Sequence, residues 1–251
     1  MPVNATRSSW PQGYGLILLE ETDSTMSEAT RRSADISGPT WIMAKRQTAA
    51  HGRRGRAWSS PEGNFAGTLV LRPSEGAETV ALRSFVAALA LFDSFVALTG
   101  RAEAFSLKWP NDVLMNGQKL AGILLESSGA QGRVDQLTIG IGVNLVSAPP
   151  TQDLEERATT PTALGADVSQ EDFLAELAHH YAQWETRFTT YGFAPIREAW
   201  LSRAAKLGGV ITARMTNREL TGTFEGIDAQ GNLVLKTAKT RETIPAAEVY
   251  F

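Results

Sequence analysis

Residues 49–58, AAHGRRGRAW, set His51, Arg53, Arg54 and Arg56 around Gly52 and Gly55. No acid occurs between Asp35 and Glu62, yet Lys45, Arg46 and the three loop arginines all fall there. This is a cationic island in a chain of formal net charge −3. Glycines let backbone N–H groups come against a ligand, and guanidinium forks match phosphate or carboxylate. Such a loop suits an anion of the nucleotide-phosphate kind. For an RRGR run taken alone, a solvated surface turn and a nucleic-acid patch compete with that reading.

Two further stretches can do chemistry. FSLKWPNDVLMNGQKLAGILLE, residues 105–126, has the strand–Pro110–strand–Asn116-Gly117–strand texture of hairpins. In its last strand, simple alternation puts Lys119, Ala121 and Ile123 on one face and Leu120, Leu124 and Glu126 on the other. A lysine opening an apolar strand either snorkels at the strand end or reaches a buried anion. In residues 133–145, Leu137, Ile139, Ile141, Val143 and Leu145 alternate with Thr138, Gly140, Gly142 and Asn144. The small face is either a floor for a flat ligand, with Asn144 reading an edge, or the mark of a bulge or close helix packing. Earlier, Asp23-Ser24-Thr25-Met26 follows a short apolar strand. Thr25 and Glu28 there read as a capping box opening a helix to about Arg32, at a strand-to-helix junction that also offers N–H groups to a polar ligand.

The elements that must hold these residues read as follows. Strands are expected at 15–20, 41–46 and 64–72, so that the cationic loop is rooted in a sheet with its tip free. Residues 78–98 are apolar almost all round and form one buried helix, stopped at Gly100. Residues 146–165, with Pro149, Pro150 and Pro161, are a loop, and helices follow at 169–189 and 194–205. From Gly208 the chain becomes short strands parted by Thr216-Asn217 and by residues 228–232, the texture of a small antiparallel barrel.

Composition excludes several classes. The 251 residues, 43% hydrophobic and 20% charged, suit one large domain, or one large and one small. Cysteine is absent, which removes disulfides, thiol nucleophiles and thiolate metal sites and fits a reducing cytoplasm. His51, His179 and His180 are the only histidines, too few for a histidine-built metal site. The N-terminus lacks the apolar core of a secretory signal. The longest charge-free run of the apolar segment, residues 84–92, is too short to span a bilayer.

Taken together, Ser24-Thr25, Gln47 before HGRRGRAW, KWPND at 108–112, KLAGILLE at 119–126 and IGIGVN at 139–144 resemble the biotin protein ligases, also called biotin–[acetyl-CoA carboxylase] ligases. The motifs fall in the family's order over nearly the whole chain. The resemblance implies an α+β fold: a mixed or antiparallel sheet with helices, like a class II synthetase catalytic domain, over 1–206, and an SH3-like β-barrel over 207–251. It implies that ATP and biotin are joined as biotinyl-adenylate, with Mg²⁺ carried on the triphosphate, and that biotin passes to a lysine of a carboxylase's biotin carrier domain in the cytoplasm. By resemblance, Ser24, Thr25, Met26, Gln47, His51, Gly52, Arg53, Lys119, Gly122, Ile123 and Gly140 hold biotin. Arg53, Arg54, Arg56, Trp58, Asn111, Asp112, Lys119 and Asn144 hold the nucleotide. Arg53, Lys119 and Asp112 carry the chemistry, with Asp112 the one acid placed near metal or ribose and no dedicated metal cage.

The chain departs from the family pattern at Ala50 and His51 in the loop, at Met26, and at Ala246-Ala247-Glu248, where glycine often precedes the acid. The early first strand leaves no room for the operator-binding helix-turn-helix that some members carry, so nucleic acid is not expected as a partner, and the short charge-free run gives no expectation of a membrane. A homodimer through an exposed 133–145 strand edge is a further expectation. Other readings are a non-catalytic module that senses biotin or its adenylate, and a lipoate ligase of similar architecture.

Overall fold

A computed structural model of the chain describes residues 9–130, 133–148 and 158–251. Strand β1 (Gly15–Thr22) leads into helix α1 (Thr25–Arg31), and β2 (Thr40–Gln47) and β3 (Phe65–Leu71) flank the cationic loop. Helices α2 (Ala77–Ala81) and α3 (Arg83–Thr99) follow, then β4 (Phe105–Lys108), β5 (Asp112–Met115), β6 (Gln118–Ser128) and β7 (Gln136–Val143). These strands form one seven-stranded sheet in the order β1-β2-β3-β7-β6-β5-β4. The α1 crossover makes β1 and β2 parallel, and every other neighbouring pair is antiparallel.

One face of the sheet carries the main core. Leu137, Ile139, Ile141 and Val143 of β7 belong to it, as the alternation requires, with α3, α4 (Gln170–Tyr191) and α5 (Phe193–Leu201) packed above. Trp41 meets Tyr181 edge-on at 6.0 Å, and Phe65 meets Phe173 at 4.9 Å. Burying such side chains contributes roughly 1.5–3 kcal/mol each. The stretch Ala77–Thr99 is apolar and long enough to cross a bilayer, yet 72% of its apolar window is buried inside the fold. Its one buried charge, Arg83, is sandwiched between Glu75 and Glu185, each 2.8 Å away, so the guanidinium is compensated on both sides.

Several expectations are corrected by this arrangement. The single helix over 78–98 is two helices. They meet at Leu82, whose N–H bonds Thr79 O three residues back, and Phe85 N–H repeats the pattern onto Leu82 O, a tightened turn that breaks the α register. The helix expected over 194–205 ends at Leu201. β7 is no sheet edge: it lies between β3 and β6, so it offers no free strand for a dimer. Residues 149–157 of the expected loop lie outside those described.

The C-terminal strands β8 (Val210–Arg214), β9 (Glu219–Ile227), β10 (Leu233–Lys236), β11 (Arg241–Ile244) and β12 (Glu248–Tyr250) form a second sheet in the order β11-β10-β9-β8-β12. The SH3-like barrel is therefore not formed. β11 and β12 stand at opposite edges and do not pair, and edges of four and three residues offer little to close a tilted, staggered cylinder. β12 pairs only with β8 and turns instead toward the first sheet. The two sheets are joined at the KWPND segment: Trp109, 4% exposed, donates its indole N–H to Gly231 O at 3.0 Å. Gly231 must be glycine here, since a Cβ would fall 2.7 Å from the Phe85 ring.

Candidate active site

The opposite face of the first sheet is covered by α1 and by the loop between β2 and β3, and between them lies a cavity of about 570 Å³. Its walls include Ser24, Thr25, Met26, Gln47, His51, Gly52, Arg53, Arg56, Trp58, Asn111, Asp112, Lys119, Gly122, Ile123, Gly140 and Asn144. Of the residues nominated from sequence, only Arg54 is not on the wall. The last four residues, Glu248, Val249, Tyr250 and Phe251, close one end; of these the sequence singles out only Glu248, as the acid after Ala246-Ala247.

The polar end is built by the start of α1. Thr25 is not the cap. Ser24, in extended backbone, caps the helix by accepting from Met26 N–H, and Glu28 pairs with Arg31 and Arg32 instead of reaching back. Thr25 is thereby released to face Gln47: its N–H and its hydroxyl both donate to Gln47 Oε1, at 2.7 and 3.1 Å. A third hydroxyl completes the set, because Thr68 of β3, fully buried, donates to Thr25 Oγ1 at 2.8 Å. Thr68 went unnoticed in the sequence because threonine in a strand reads as ordinary β propensity.

The charged end is built by β5, β6 and the loop. Lys119 does not share a face with Ala121 and Ile123. Register slips between Val113 and Leu114 of β5, so that Leu120 is an extra residue of β6. This bulge turns Lys119 onto the cavity side, with its Cε 3.6 Å from where a Gly122 Cβ would stand. Lys119 Nζ lies 2.8 Å from Asp112 Oδ1 and 5.6 Å from the centre of the Trp58 ring. Asn111 donates to Ile123 O at 2.5 Å and accepts a long 3.4 Å bond from Arg53 Nη1. Asn144, buried, is tied to β6 by its N–H on Leu120 O.

The small face of β7 serves close approach by side chains. A Cβ on Gly140 would meet Met26 Sδ at 2.4 Å, so helix packing accounts for that glycine. A Cβ on Gly142 would meet the Trp58 indole at 2.5 Å. Trp58 therefore lies flat over Gly142 and Gly122 as the lid of the slot.

The loop tip is not free. His51 bridges Ala57, Gly52 N–H bonds Arg56 O, and Trp58 N–H bonds Ala50 O. Residues 53–55 form a single 3₁₀ turn with Arg54 at φ 58°, in the left-handed region. Arg54 and Arg56 reach Glu248 Oε1 at 3.3 and 2.8 Å, and His51 Nε2 lies 3.4 Å from Glu126. The positive charge of Arg54 and Arg56 is thus met by a carboxylate. Burial pushes the Arg53 guanidinium below the usual arginine range, Arg54 adds to this, and Asp112 and Glu248 oppose it. An incoming anion would relieve that cost. Burial acts to raise the Glu248 carboxyl, but its bonds to Tyr250 and Arg56 outweigh this and hold it below the usual glutamate range.

Comparison with known proteins fits this geometry. Residues 18–144 match the biotin/lipoate A/B protein ligase family, and residues 206–251 match the biotin protein ligase C-terminal domain. The chain is 52% identical over 238 residues to the biotin–[acetyl-CoA-carboxylase] ligase of Paracoccus denitrificans, covering 93% of this chain and 99% of that one. This chain is a member of the biotin protein ligase family.

The bifunctional ligase/repressor of Bacillus subtilis is 31% identical, with 92% of this chain covering 71% of that protein. Among solved structures, the biotin protein ligase of Aquifex aeolicus in complex with biotin and ATP superposes with a TM-score of 0.81 at 27% identity, covering 94% of this chain and 98% of that one. The Leishmania major biotin protein ligase in complex with biotinyl-5-AMP gives a TM-score of 0.68 at 26% identity, covering 94% and 100%.

Proposed function

We propose that this chain activates biotin with ATP and transfers it to a lysine of a biotin carrier domain; its 52% identical relative is named a biotin–[acetyl-CoA-carboxylase] ligase. One observation carries the assignment of residues: the polar Ser24–Thr25–Gln47 end and the cationic Arg53–Lys119 end open into the same cavity, divided by an apolar slot. Biotin is apolar between a ureido ring and a carboxylate, and a slot with polar groups at both ends suits it. Ser24, Thr25 and Gln47 take the ureido ring. Met26, Gly140, Gly122, Ile123 and Trp58 line the slot. His51 and Gly52 form its loop side.

In the first step a carboxylate oxygen of biotin attacks the α-phosphorus of ATP, an O–P bond forms, and pyrophosphate leaves. Two anions must meet, so fixed positive charge is the main requirement. Lys119 and Arg53 supply it, and Asp112 holds Lys119 in place until the substrates arrive. Asn111, Asn144, Arg54, Arg56 and Trp58 serve the nucleotide, with residues 207–251 acting as a unit that closes this end through Glu248. No cluster of three or more His, Cys, Asp or Glu side chains able to hold a metal occurs among the described residues. Mg²⁺ would enter with the triphosphate, with Asp112 the nearby acid. In the second step the carrier lysine's amine attacks the acyl carbon, an amide forms and AMP leaves. We infer a cytoplasmic reaction, in line with the lack of cysteine.

The test is transfer to a purified biotin carrier domain with biotin, ATP and Mg²⁺, read by mass. A single biotinyl adduct on the carrier is expected. Pyrophosphate release without transfer would reduce the protein to an adenylate-forming sensor, and modification by lipoate in place of biotin would reassign the acid.

A further inference from the structure

The order of protons along Thr68, Thr25 and Gln47 is set by one backbone group. Thr25 N–H can meet only an acceptor, so the atom 2.7 Å from it is Gln47 Oε1, and the amide cannot be flipped without placing N–H against N–H. The Thr25 hydroxyl, 3.1 Å from that same oxygen, must then donate to it. Its oxygen is left as an acceptor, and Thr68 Oγ1, 2.8 Å away and fully buried, fills that place as donor. Every member of the chain has one permitted role. Gln47 spends its oxygen on Thr25, which leaves its amide nitrogen as the end it can offer to the cavity it lines.

We propose that Thr68 is a positioning residue for the ring-binding end of the site. By donating to Thr25 it fixes the Thr25 hydroxyl on Gln47 Oε1, and so holds Gln47 ready to donate to a carbonyl oxygen of the substrate. Thr68 itself lies behind Thr25 and is not on the cavity wall. This inference rests on the assignment of that end of the cavity to biotin's ureido ring.

The experiment is steady-state pyrophosphate release by the full chain with wild-type, Thr68→Val and Thr68→Ser, varying biotin and ATP separately. Thr68→Val keeps the shape and removes the donor. Losing one buried hydrogen bond of this kind corresponds to about tenfold. The expected result is a biotin KM raised about tenfold, with kcat and the ATP KM within about twofold, and recovery in Thr68→Ser. An unchanged biotin KM in Thr68→Val, biotin and ATP KM rising together, or Thr68→Ser failing as badly as Thr68→Val would each overturn it. No pyrophosphate release from wild-type protein would overturn the assignment of the cavity, and is recognisable because it needs no variant.

Discussion

Lys119 Nζ stands 2.8 Å from Asp112 Oδ1, across the β5–β6 pair whose single bulge turns the lysine inward. The cation assigned to the reacting groups is thus preset by a carboxylate from the neighbouring strand. Asp112→Asn should leave the lysine mobile while keeping a polar neighbour. The expected outcome is a fall in kcat for pyrophosphate release of about fivefold at most, because a partly exposed ion pair contributes no more than about 1 kcal/mol, with the biotin KM nearly unchanged. A kcat equal to wild type would show that Asp112 does not organise Lys119.

Trp58 and Gly142 should be coupled. An added methyl at residue 142 would sit 2.5 Å from the indole, and overpacking of this sort costs typically ~1–3 kcal/mol. Gly142→Ala should lower the melting temperature and raise the biotin KM. The same substitution in a Trp58→Ala background should cost far less stability. Equal costs in both backgrounds would mean that the indole does not lie on this shelf in solution.

Much of this site was legible because its residue types are constrained locally. Gly140 and Gly142 alternate with the Leu137–Val143 core face, and Asn116-Gly117 marks a tight hairpin turn between β5 and β6. What was not legible depends on non-local pairing. Ser24 and Thr25 are both good caps, and only the position of Gln47 on β2 decides that Ser24 takes the role. The bulge at Leu120 leaves no local mark, so strict alternation misplaced Lys119. Whether β11 meets β12 is a question of sheet order, to which short alternating strands are blind, and the open C-terminal sheet followed from that. The charge of the loop was plain, but its partner Glu248 lies 194 residues from Arg54.

Glu248 should clamp the loop against proteolysis. Its partners are half exposed, so the clamp contributes at most about 1 kcal/mol. That is enough to raise trypsin cleavage at residues 53–56 severalfold in Glu248→Gln. The carboxyl is held below the usual glutamate range. A depressed folded pKa gives stability that is present above the unfolded value and is lost as pH falls through the folded one. Cleavage by a protease active across the range should therefore be flat from neutral pH down to the ordinary glutamate range, and should rise only below it. A rise centred nearer neutrality would point to another group.

Biotin with a non-hydrolysable ATP analogue should slow cleavage of the same loop further, because anions then fill the cavity beside the half-buried Arg53 guanidinium. An unchanged rate with both ligands present would remove the loop from ligand closure.

The most direct measurement compares Lys119→Gln with Arg53→Gly in two assays, pyrophosphate release and streptavidin blotting of a mixed pool of bystander proteins. Lys119 is held by the sheet and meets charge as it redistributes in the first step, where losing a fixed donor costs typically ~10²–10³ in rate. Arg53 sits on the closing loop, and losing its charged hydrogen bond costs roughly 1.5–3 kcal/mol in retention of the finished intermediate. Lys119→Gln should release almost no pyrophosphate and label nothing, whereas Arg53→Gly should still release pyrophosphate and label bystander lysines with leaked adenylate. Equal loss of pyrophosphate release in both variants, with no bystander labelling from Arg53→Gly, would contradict the division of work between the strand lysine and the loop arginine.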